Sequence, residues 1–281
     1  MDQLNQNIAW QRMASPQYDG YDTAIALQMA QHSRRPTAGA VTFCEGHVAI
    51  RQAPELGLMT DRFVPAALDH PNLARAAVLL ARWPAAYLQF QQLIDTVYPY
   101  TDHEQARMGP WALGSSSHSY EEDFGSIHAT VDNALGLAQA LIHEMSHQKL
   151  RALGIFMNKA QRLITSEPAP FHDQYSFMHV TALDLHMLPQ AEDESERQSI
   201  LMLLARNVPR MQAGYQQLAH TLQTDQFGKL FTDAFMVWSL DILNRGQSEL
   251  DANGYGGFDV LKTSAHVPPP QGTCPSELAG A

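Results

Sequence analysis

The chain has 281 residues, 45% of them hydrophobic, enough to bury a sizeable core in one large domain or two small ones. Its formal charge of −11 argues against nucleic acid and anionic membrane surfaces as partners, because either would have to bind against the overall field. No apolar run approaches the roughly 20 residues a membrane span requires.

Taken from the start, Met1 to Asn7 has no basic cluster and no apolar run behind it, which predicts no secretory signal. Cys44 and Cys274 are too few for a disulfide framework or a thiolate metal site, and they fit a reducing cytoplasm. Thirteen histidines against two cysteines direct any metal toward nitrogen and oxygen ligands. Helical spacing predicts a helix over 20–32 and another over 71–98, the second bent or broken at Pro84. Between them, residues 40–43 and 48–50 around Glu45-Gly46 predict a small hairpin. Asp102-His103-Glu104 reads as a solvated turn, and residues 109–119 as an exposed loop rich in Gly and Ser. A short strand over 124–131 feeds a helix over 132–153. Further helical patterns run over 171–188, 194–222 and 225–244, with Pro209 interrupting the second of these. Glu192-Asp193-Glu194-Ser195-Glu196 is the acidic first turn that a helix dipole favours. The expected fold class is mainly α: a single helical domain with at most a small β hairpin or short sheet, its metal site on helices rather than on a jelly-roll. One catalytic domain is expected over 1–262, followed by a C-terminal arm or tail over 263–281.

The helix over 132–153 carries His143-Glu144-Met145-Ser146-His147. Residues four apart share one helix face, so two imidazoles can meet one divalent ion, as in HExxH zinc enzymes. Asp132 or Asn133 can cap the start, residues 134–142 supply an apolar lead-in, and Gly154 closes the end. Leu150 and Leu153 stand where a metzincin needs Gly and His, which excludes that group. Glu167 lies at a distance suited to a carboxylate ligand, but Pro168 and Pro170 flank it. His172, His179 and His186 recur every seven residues on one stripe, and any of them is a candidate third ligand. In a zinc hydrolase Glu144 is the base that activates bound water. The same pattern also fits a non-catalytic helical binding protein with an accidental motif.

Three blocks resemble one family. Ser115-Ser116-Ser117 followed by Phe124-Gly125-Ser126-Ile127, the stretch from Leu141 through His143 and His147 to Lys149-Leu150, and His172-Asp173-Gln174-Tyr175-Ser176-Phe177 occur in the order seen in HExxH-type 2-oxoglutarate-dependent peptide β-hydroxylases. That family tailors ribosomally made peptides, and the resemblance covers about residues 115–188. Asp173 stands where the family has Gly, and only Arg162 remains of its intervening arginines. The resemblance implies Fe(II) held by His143 and His147, with His172 as third ligand. It further implies 2-oxoglutarate as cosubstrate, its distal carboxylate paired with Arg162 or with Arg151, Arg206 or Arg210. Glu144 then orients a ligand or water instead of acting as a base. The expected reaction is hydroxylation of an unactivated C–H, at the β-carbon of an amino-acid side chain in a peptide substrate. Zinc belongs to the competing hydrolase reading. Oligomeric state is left open, a homodimer included.

Overall fold

In the computed structural model, residues 18–37, 40–52, 62–104, 113–157 and 163–255 are described, with side chains from Ala26 onward. The expected arm over 263–281 lies outside them. The elements run α1 (Tyr18–Ser33), β1 (Val41–Phe43), β2 (Val48–Ile50), β3 (Phe63–Pro65), α2 (Pro71–Ala81), α3 (Pro84–Leu93) and β4 (Thr96–Asp102). They continue as β5 (Ser117–His118), β6 (Ser126–Thr130), α4 (Ala134–Ala152), α5 (Ala169–Met187), a 3-10 turn, α6 (Glu194–Thr221) and α7 (Gln226–Ala252).

Helices predominate, but the expectation of at most a hairpin or short sheet is overturned. Six strands form one mixed sheet in the order β1-β2-β4-β6-β5, with β3 also paired to β4. The pairs β2–β4 and β4–β6 are parallel. The expected hairpin is present as β1–β2, and the expected strand before the motif helix is β6. What the helical reading of 71–98 concealed is β4, whose Thr-Val-Tyr-Pro-Tyr-Thr-Asp run holds a proline at its centre. A proline lacks the donor a central strand needs. Here β2 pairs with the first residues of β4 and β3 with the last, both on the same side. Val97 O accepts from Arg51 N and Pro99 O from Ala66 N, so the missing N–H of Pro99 falls where β2 gives way to β3. The strand forgoes one ladder bond there, the return bond to Ala66 O, at the end of the β3 pairing where the loss is smallest.

Pro84 ends the preceding helix as expected: α2 stops at Ala81, and α3 restarts with Pro84 in its first turn. Pro209 does not interrupt α6, which runs through it. Leu201, Leu204, Ala205, Val208 and Met211 are buried on that helix, and their packing against α5 and α7 outweighs the roughly 3 kcal/mol an interior proline costs. The acidic first turn of α6 does more than answer its dipole. Glu192 and Glu196 bind both Arg75 and Arg82, tying α6 to α2 at 2.6–3.2 Å. Asp102, expected in a solvated turn, is buried at the end of β4 and ion-paired with Arg62 at 2.9 Å.

The motif helix α4 is buried on nearly every side, against α1, α2, α3, α5 and β6. Alternation along the sheet sends Val97, Ile127 and Ala129 into the apolar cluster and leaves Tyr98, Tyr100 and His128 together on the other face. No helix among the described residues is long and apolar enough to cross a membrane.

One helix contact should control stability against pH. Asp184 of α5 is fully buried and accepts from Gln139 of α4 at 2.6 Å and, more weakly, from Asn207 of α6 at 3.5 Å. Burial raises its carboxyl to about 7, against the lowering effect of Gln139, Arg206 and Asn207. Stability is therefore greatest where both states are protonated, and it is lost as pH rises from the unfolded value near 4 through about 7. Urea unfolding should show the wild type losing on the order of 3 kcal/mol between pH 4 and 8, and Asp184→Asn losing much less. Equal losses would contradict this account.

Candidate metal centre

Asn133 caps α4 by accepting from Gly136 N at 2.8 Å, and the helix then places His143 and His147 one turn apart. Their Nε2 atoms lie 2.9 Å from each other, with the rings nearly perpendicular. At metal–nitrogen bonds of about 2.1 Å, two ligands at right angles on one ion would be separated by about 3.0 Å. The pair therefore fits adjacent positions on a divalent cation. Burial lowers the proton affinity of both rings, which favours neutral imidazoles with lone pairs to offer. Phe177 of α5 sets its ring edge-on to His143 at 4.8 Å, and His143 remains partly accessible.

His172 of α5 reaches this centre in a different way from the one the resemblance implies. Its Nδ1 lies 3.0 Å from His147 Nδ1, while its Nε2 lies 2.9 Å from Ile155 O. The two nitrogens of His147 point in divergent directions, so a cation on the Nε2 pair is not reached by His172. Among the described residues, no group of three or more His, Cys, Asp or Glu side chains is placed to hold a metal. Two of the three expected ligands thus converge, and the third stands behind one of them. Nor do the alternatives supply it. His179 is buried with Nδ1 on Tyr175 O at 2.7 Å and its ring against Trp238, and His186 stacks on Trp83 at 4.9 Å. Glu167 is exposed just before α5.

Glu144 turns away from the histidine pair. It is 4% exposed, and its Oε1 and Oε2 accept from Ser117 Oγ at 2.8 Å and Ser119 Oγ at 2.6 Å. Arg151, one turn further on from His147, donates to Ser119 Oγ at 3.0 Å and to Ser119 O at 2.7 Å. The serine-rich segment, expected as part of an exposed loop, is seated instead. Ser115 Oγ donates to Thr130 O at 2.8 Å, and β5 pairs antiparallel with β6. Its alternation aims Ser117 and Ser119 at α4 and His118 the other way, onto Tyr120 and towards His128. His128 stacks on Tyr98 at 4.6 Å, and burial lowers its pKa to about 4. Neither Ser119 nor this aromatic group stood out in the sequence. The only trace is the spacing by two in Ser117-His118-Ser119-Tyr120 and Tyr98-Pro99-Tyr100, which strand alternation makes meaningful once β4 and β5 are recognised.

Arg162 lies outside the described residues. Arg151 is occupied by Ser119 and by Tyr120 O at 3.1 Å, and Arg206 is drawn into the helix interface beside Asp184. Arg210 of α6 lays its guanidinium over Phe177 at 4.2 Å, within electrostatic reach of His143 and Asp173. Arg151 is likewise within electrostatic reach of His147 and His172, so two of the described arginines lie beside the centre. An open cleft of about 500 Å³ lies elsewhere, lined by Arg34, Arg35, Pro36, Thr37, Gly46 and His47. Its arginines already engage His47 O, Gln91 O and the carboxylates of Asp95 and Asp123.

The seat of the serine segment depends on Gly136, where an added Cβ would collide with the Gly114 carbonyl. Gly136→Ala should gain helix propensity yet destabilise the protein by about 1–3 kcal/mol, because the backbone leading to Ser117 and Ser119 must move. An unchanged or raised urea midpoint would rule this out. No family model and no curated protein sequence matches this chain, so the functional reading stands on the centre's geometry and on the sequence blocks described above.

Proposed function

We propose that the chain is a non-haem Fe(II), 2-oxoglutarate-dependent oxygenase that hydroxylates an unactivated C–H, at the β-carbon of an amino-acid side chain in a ribosomally made peptide, in the cytoplasm. The observation that carries this reading is the state of Glu144. Both of its carboxylate oxygens are occupied by serine hydroxyls. A hydrolase needs one of them poised at metal-bound water. An oxygenase needs no general base, and a carboxylate fixed within the protein is compatible with it.

His143 and His147 would hold the iron, and their nitrogen donors suit Fe(II). When bound, the iron couples oxidative decarboxylation of 2-oxoglutarate by dioxygen to hydroxylation, so that C–H, dioxygen and 2-oxoglutarate become C–OH, succinate and carbon dioxide. Phe177 shields one side of His143 from water. Arg210 presents a planar cation suited to a carboxylate. Ser117, Ser119 and Arg151 keep Glu144 from swinging toward the histidines.

A zinc peptidase is the second reading, and one observation favours it: His143 and His147 bracket Glu144 at the HExxH spacing on one helix, beside the sheet-edge strand β5. An extended peptide adds readily to such an edge.

The two readings part on one assay. Incubation with Fe(II), 2-oxoglutarate, oxygen and a peptide encoded beside its gene should yield succinate and a peptide heavier by one oxygen. Glu144→Gln should retain measurable turnover. Arg210→Ala should raise the KM for 2-oxoglutarate about 10- to 100-fold, the loss of one charge-assisted pair. Peptide cleavage with zinc, abolished by Glu144→Gln and unaccompanied by succinate, would replace this reading with the second.

A further inference from the structure

We propose that His172 sets the tautomer of His147 instead of binding the cation: its Nδ1 accepts the His147 Nδ1–H, leaving His147 Nε2 as a lone pair beside His143. The argument begins at a backbone carbonyl. Ile155 O can only accept, and it lies 2.9 Å from His172 Nε2, so that nitrogen carries a proton. His172 is 1% exposed, and among the described residues no carboxylate hydrogen-bonds it. A second proton would make an unpaired buried cation, which is costly. His172 Nδ1 is therefore a bare acceptor, and the His147 Nδ1 at 3.0 Å must be its donor. A neutral imidazole carries one N–H, so the lone pair of His147 is on Nε2, 2.9 Å from His143 Nε2.

The acceptor carbonyl is placed by the end of α4. Gly154 takes a φ of +74°, a conformation that favours glycine, and Ile155 N returns to Leu150 O at 2.9 Å. The helix that carries the histidine pair thus also supplies, through its own closing turn, the group that orients His172. Protons are then assigned from the buried end outward, and only His143, at the partly accessible end, is left to adapt. Without a cation, His143 Nε2–H can donate to His147 Nε2. With one, His143 moves its proton to Nδ1 and both Nε2 atoms face the ion. His147 needs no rearrangement.

This proposal rests on the metal-binding reading of the pair but not on the choice between iron and zinc. The test uses the full chain, stripped of metal and titrated with Co(II), followed by calorimetry and visible absorption. Wild type should bind one equivalent; failure to bind would defeat both the metal reading and this proposal. His172→Phe should still bind one equivalent with an unchanged absorption band, at affinity lowered about 10- to 100-fold, as for lost partners of ligating histidines. His172→Asn, whose side-chain oxygen can accept, should recover part of that loss. Loss of stoichiometric binding, or a shifted band, in a folded His172→Phe protein would make His172 a ligand and overturn the proposal. Long-range 1H–15N spectra of the metal-free wild type need no substitution. They should show Nδ1–H for His147 and Nε2–H for His172, and the opposite tautomers would also overturn it.

Discussion

A helix buried on nearly every side has little water to satisfy its polar side chains, and α4 carries polar side chains along most of its length. Most are met by another element, which avoids the roughly 1–3 kcal/mol that an unsatisfied buried group costs; Ser146 turns back to Ile142 O, and Gln148 Oε1 meets no partner among the described residues. Gln139 meets Asp184 of α5, Glu144 meets the serines around β5, and Gln148 meets the Ser126 carbonyl of β6 at 3.2 Å. Lys149, wholly buried, donates to Gln89 of α3 at 3.0 Å. The order of layers around α4 follows from this requirement as much as from apolar packing. Sheet, helices and the serine segment each bring it a partner.

The requirement also separates two chemistries. Successive helix residues point about 100° apart, so His143 and His147 look towards α5 while Glu144 looks towards β5. The five-residue motif is thereby divided between a convergent histidine pair and a closed hydrogen-bonded carboxylate. Sequence alone does not reveal this division, because the same letters serve equally for a carboxylate that faces the metal. What selects between the two is a pair of serines more than twenty residues upstream.

The helices were legible because their apolar spacing is sustained over many turns, and the cap at Asn133 and the breaks at Pro84 and Gly154 follow local backbone rules. Of the sheet only the β1–β2 hairpin and β6 were legible, because the central strand contains Pro99 and the edge strand β5 is only two residues long. Both need tertiary partners to be recognised: β2 and β3 share one side of β4, and Glu144 holds the serines of β5. The histidine pair was legible from spacing. The place of His172 was not, since a seven-residue stripe gives the face of a helix but not which ring nitrogen meets which neighbour. Pro209 misled for the opposite reason: a local rule was overridden by packing along a long helix.

The turn at Gly154 makes the length of α4 a chemical quantity. From His147 the helix continues five residues to Ala152, and the closing turn at Gly154 then brings the Ile155 carbonyl to His172. One residue inserted there would rotate that carbonyl by about 100° and advance it by about 1.5 Å. The segment can accept new side chains on its surface, but not a change in residue count. Among descendants of this sequence, insertions and deletions should be absent between His147 and Ile155.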